Sequence, residues 1–154
     1  MAQWIGFTNQ KLYQCQLLLT EREKAAGNPV LSSALESGAL HLLHDAWLSY
    51  LQELGEMVRF REPVLSLADL LSRSPLVTGE MRELEHLAEN GFSWVAQFLA
   101  AVADLNRQAV VKTQAPAADN LLISTRNESD SQIPFWWRSL SAIIDNQREN
   151  RQES

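Results

Sequence analysis

Apolar residues recur with a helical period along residues 81–110. On an ideal helix Met81, Leu84, Leu87, Ala88, Phe92, Trp94, Val95, Phe98, Leu99, Val102, Leu105 and Ala109 fall on one side. Arg82, Glu83, His86, Glu89, Asn90, Gln97, Asp104 and Arg107 fall on the other. This rhythm predicts one long amphipathic helix, capped by Thr78, that needs helical neighbours to cover its greasy side.

Other segments repeat the pattern. A first helix is predicted over residues 8–26, with Thr8 or Asn9 as cap, Gly27 as stop and Pro29 just beyond. A second starts at Asn28, places Pro29 in the first turn and runs to about residue 59. Its apolar arc is wide, from Leu35 through Leu43, Trp47 and Tyr50 to Val58, so it is expected to be the most buried element. His41, Asp45, Gln52, Glu56 and Arg59 form its polar strip. Pro63 breaks the chain, a short helix follows over 66–73, and Ser74-Pro75 ends it. Residues 115–133 are rich in Ala, Ser, Asn, Asp and Pro and read as a long connection. A last helix is expected over 134–152, with Ile133, Trp136, Trp137, Leu140, Ile143 and Ile144 inward and Asp145, Arg148 and Glu149 outward. The tail from about residue 150 is expected to fray. The expectation is a single all-α domain over residues 1–154: an antiparallel bundle of four main helices plus one short helix.

The chain has 154 residues, enough for one substantial core, and a net charge of −6. An acidic chain without a basic run repels the phosphate backbone, which disfavours general nucleic-acid binding. One cysteine, Cys15, allows no internal disulfide and no Cys-x-x-Cys site. No apolar stretch approaches the roughly 18 residues of a membrane span, and the start of the chain has no secretory pattern. A cytoplasmic location is the expectation.

Candidate chemistry is sparse. His41-x-x-His44 with Asp45 has the spacing of metal ligands, yet helical projection puts His41 and Asp45 on the wet strip. Glu83-x-x-His86 is half of a di-metal motif, but it occurs once and on an outer face. GFSWV at 91–95 lacks the second glycine and the strand of a nucleophile elbow. No phosphate loop or dinucleotide fingerprint is present. No metal, cofactor or catalytic residue is therefore expected.

Two clusters remain. Asn106 projects into the apolar arc of its helix, where a buried amide needs partners. With Asn9, Tyr13 and Gln16 it could line a small polar cavity for a ligand or substrate. The other cluster is PFWWR, residues 134–138. Adjacent tryptophans project about 100° apart on a helix, so one is buried while the other reaches the surface. Trp136, Trp137 and Arg138 are thus the candidate docking residues, because Trp and Arg are enriched in interface hot spots.

Four blocks carry a resemblance: TNQKLYQCQLLL at 8–19, HLLHDAWLSYLQEL at 41–54, GEMRELEHL at 79–87 and the Trp-bearing last helix with QREN at 147–150. Together they resemble a family of small gammaproteobacterial helical proteins known only as a domain of unknown function. The resemblance implies a bacterial cytosolic helical protein and no particular reaction. The leading expectation is a non-enzymatic interaction or adaptor protein, binding a protein partner or forming a homodimer. A ligand binder or enzyme using the Asn9–Asn106 cavity is the alternative.

Overall fold

A computed structural model describes residues 2–111 and 131–153, with side chains placed for 3–107 and 131–152. Six helices and no strand occur among the described residues. In chain order they are α1 (Ala2–Lys24), α2 (Pro29–Met57), α3 (Leu67–Arg73), α4 (Gly79–Glu89), α5 (Trp94–Val111) and α6 (Ile133–Glu153). The protein is an all-α single domain, as its periodicity predicts. The connection expected at 115–133 lies outside the described residues up to 130.

α2 is the spine. Leu43, Ala46, Trp47, Tyr50, Leu51 and Leu54 are all fully or almost fully buried. Asn28 caps it, accepting Leu31 N–H at 3.1 Å, and Pro29 sits in the first turn, where its missing N–H costs nothing. The helix ends two residues earlier than predicted. Arg59 adopts φ 63°, Arg59 N–H bonds Glu56 O at 3.0 Å and Phe60 N–H bonds Gly55 O at 2.8 Å. That paired pattern is a Schellman stop, made here without glycine at the left-handed position.

α1 and α2 run antiparallel. Thr8 meets Ser49 and Glu53, Lys11 meets Asp45, Cys15 meets Ala39, and Arg22 meets Glu36. Partner numbers fall as α1 advances. Gly38 allows close approach here, since a Cβ on it would stand 3.0 Å from Leu18 Cδ1. α1 starts at Ala2, six residues before the predicted cap. Thr8 is no cap but a buried mid-helix residue whose hydroxyl lies 2.9 Å from Trp4 O. Trp4 and Ile5 are half-buried, which gives the extra turns something to cover.

The long helix predicted over 81–110 is divided. Residues 90–93, Asn-Gly-Phe-Ser, separate α4 from α5. Asn90 Oδ1 accepts Phe92 N–H at 3.1 Å, and Ser93 Oγ accepts Ala96 N–H at 3.1 Å, so one side chain closes a turn and the other caps a new helix. Phe92, assigned to the apolar side, is 92% exposed. The two halves keep their patterns: Met81, Leu84, Val95, Phe98 and Val102 are buried, and all eight polar positions are exposed. Thr78 caps α4 as expected, accepting Met81 N–H at 3.3 Å.

α6 closes the core with Ile133, Trp136, Leu140 and Ile144. Phe98 joins three elements, lying 6.1 Å from the Trp47 ring and 6.0 Å from the Trp136 ring, both in tilted or edge contacts.

Candidate functional site

An open recess lies on the outer side of the α1–α2 pair. It is an open groove of about 400 Å³ lined by Trp4, Phe7 and Lys11 from α1, Asp45, Leu48, Ser49 and Gln52 from α2, and Pro63 and Val64 from the following loop. Helical spacing explains the first two sets: residues 4, 7 and 11, and residues 45, 48 and 52, each form one stripe. Trp4 and Phe7 pack at 5.7 Å between ring centroids.

The loop wall is braced from both ends. Gln52 donates to Glu62 O at 2.8 Å and accepts Val64 N–H at 3.0 Å, which replaces the strand pairing this extended stretch lacks. Arg73 of α3 binds Asp69 through two bonds of 2.8 Å, Glu62 at 2.8 Å and Pro63 O at 2.7 Å. Its guanidinium also lies 5.0 Å from the centre of the Phe60 ring. The Arg73 hydrogen bond and the Leu65 N–H hold the Asp69 carboxyl below its usual range. The groove is therefore a pre-formed shape.

Behind the groove runs a buried polar chain. Glu53 is fully buried on the core side of α2. Its Oε2 accepts the Thr8 hydroxyl at 2.6 Å and Arg148 Nη2 at 2.8 Å, and its Oε1 accepts Arg148 Nε at 3.2 Å. Arg148 also donates to Asn9 Oδ1 at 2.9 Å. One turn away the Tyr50 hydroxyl donates to Gln147 Oε1, and Gln147 Nε2 donates to Glu83 Oε1 at 2.8 Å. Burial pushes the Tyr50 phenol up to about 12. The chain ties α1, α2, α4 and α6 together, from buried Glu53, Tyr50 and Gln147 out to exposed Asn9 and Glu83.

The expected site residues are dispersed. Asn106 is exposed, not a buried amide. Tyr13 is 59% exposed and Gln16 is exposed, while Asn9 is held by Arg148. Trp136 is 7% exposed and belongs to the core. Trp137 is half-buried, its indole N–H bonded to Leu12 O at 2.8 Å. Arg138 is exposed, as is its neighbour Phe135 at 46%. Arg148, assigned outward, turns inward to Glu53.

Cys15 is buried and His44 half-buried, whereas His41 and His86 are exposed. The Cys15 thiol contacts Ala39 O at 3.2 Å, and burial pushes it up to about 12. His44 lies edge-on to Phe98 at 6.4 Å, and burial lowers its pKa. Among the described residues no three His, Cys, Asp or Glu side chains converge as metal ligands, and no helix is long and apolar enough to cross a membrane. A smaller polar cleft of about 270 Å³ by Gly79, Glu80, Glu83, Gln147 and Asn150 has its Gln147 amide already engaged.

Fold and recess together define a helical protein with a braced, largely apolar groove on one helix pair. The model described as "Family of unknown function (DUF6586)" matches residues 1–154, and the chain belongs to that family. Neither a curated protein nor a solved structure matches it significantly.

Proposed function

We propose that this chain is a non-enzymatic protein-interaction module whose contact face is the Trp4–Phe7 groove. The observation that carries the reading is an apolar recess that stays open to solvent while its wall is fixed by Gln52 and Arg73. A fixed shape lowers the ordering cost of binding. Aromatic side chains at its mouth supply large contact area at low entropic cost. Catalysis finds less support, because Glu53, Tyr50 and Cys15 are buried and engaged inside the core, and His44 is half-buried edge-on to Phe98.

The expected docking residues Trp136, Trp137 and Arg138 fit this reading less well. Two of the three have structural work, which leaves Phe135 and Arg138 as the exposed part of that cluster. The test is a photo-crosslinking side chain at position 7 in producing cells, with one at exposed position 106 as control. Discrete protein adducts from position 7 alone are expected. No adduct from position 7, or the same adducts from both positions, overturns the reading.

A further inference from the structure

We propose that the partner seated on this groove is the same groove of a second copy, related by a two-fold axis. The proposal rests on the reading of the groove as a contact face. An isologous contact requires one patch to carry both halves of each complementary pair. This patch does so twice. It has a recess between α1, α2 and the loop wall, and at its edge Phe7, 41% exposed, can fill such a recess on another molecule. Its rim bears one cation and one anion on facing helices, Lys11 and Asp45.

The geometry of that pair matters. Lys11 Nζ and Asp45 Oδ2 are 4.0 Å apart, with side chains 34% and 53% exposed. Each keeps room for an opposite charge arriving from outside. In the proposed dimer the two-fold axis is the one that sets Lys11 of each copy against Asp45 of the other, so that four charges alternate in sign. A partner of one dominant charge meets a rim that sums to zero and gains nothing from it, whereas a second copy gains two pairs. The chain as a whole is acidic, at −6, so a locally neutral patch is where two copies approach with least repulsion.

Sedimentation velocity from micromolar to near-millimolar concentration tests this. The full chain is expected to reach twice its monomer mass, and Phe7→Asp is expected to remain monomeric while keeping its helical circular dichroism. Lys11→Asp and Asp45→Lys alone each place two like-charge contacts in the dimer and are expected to weaken it roughly tenfold. An equimolar mixture of those two variants restores opposite charges across the interface while leaving like charges within each chain. Association of the mixture at wild-type strength is therefore expected.

Three results overturn the proposal: a wild-type monomer at the highest concentration, a dimer that Phe7→Asp leaves intact, or a mixture as weak as its components. Should the chain be monomeric while position 7 still crosslinks one different protein in cells, the second copy is excluded and the contact-face reading stands. The charge variants lie at the groove rim, where Lys11 is half-buried and Asp45 exposed, so they decide the matter even if Phe7→Asp unfolds.

Discussion

Arg148 embraces the fully buried Glu53 with bonds of 2.8 and 3.2 Å, joining the last helix to the spine of the bundle. Removing one partner leaves a charge in the core with nothing to answer it. Arg148→Ala is expected to lower unfolding free energy by about 3–5 kcal/mol in urea titrations. The double variant Glu53→Leu/Arg148→Leu is expected to recover most of that loss, because two apolar side chains carry no desolvation penalty. A double variant no better than Arg148→Ala would mean the pair is not the main tie between α2 and α6.

His44 makes stability depend on pH near neutrality. Burial lowers its folded pKa below the unfolded value of about 6.5, with Asp45 opposing and His41 reinforcing the shift. The unfolded chain therefore binds the proton more readily. The contribution is fully present above the unfolded pKa and is lost as pH falls from there through the lowered folded value. Urea midpoints at about pH 7.5 and 5.5 are expected to differ more for the wild type than for His44→Gln. An equal difference in both proteins would assign the dependence to other groups.

Arg59 closes α2 with φ 63°, a conformation that costs an L side chain more than glycine. Arg59→Gly is expected to stabilise the fold by about 0.5–1 kcal/mol in the same urea assay. Gly55→Ala is expected to act in the opposite direction, since an added Cβ would stand 3.2 Å from Phe60 O and 3.3 Å from Leu70 Cδ1. Loss of stability in the first variant would mean the Arg59 side chain contributes more than its backbone strain costs.

Much of the fold is written in the side-chain period. Residues such as Met81, Leu84, Val95, Phe98, Leu140 and Ile144 face inward as their spacing requires, and the caps at Asn28, Ser66 and Thr78 form with their own side chains. What periodicity conceals is a break of four residues, close to the length of one helical turn. Asn90-Gly91 carried the signal of a break, and Ser93 that of a cap, but the apolar rhythm continues on both sides of them.

The polar chain was partly visible. Glu53 stands one turn from Tyr50 on the apolar arc of α2, and a carboxylate there needs a buried partner. Which cation answers it depends on how α6 docks, 95 residues away in sequence, and spacing along one helix holds no such information. The groove was less visible still. Trp4 and Phe7 precede the predicted start of α1, and the wall at Pro63 and Val64 exists only because Gln52 and Arg73 bind loop backbone.

The contact face is tested most directly by hydroxyl-radical footprinting of the chain in extract of its producing cells against the dilute purified chain. Protection confined to Trp4, Phe7 and Pro63, with Phe92 and Phe135 as reactive as before, is the predicted result. Unchanged oxidation of Trp4 and Phe7 alongside protection of Phe135 would contradict it and move the contact to the outer side of α6.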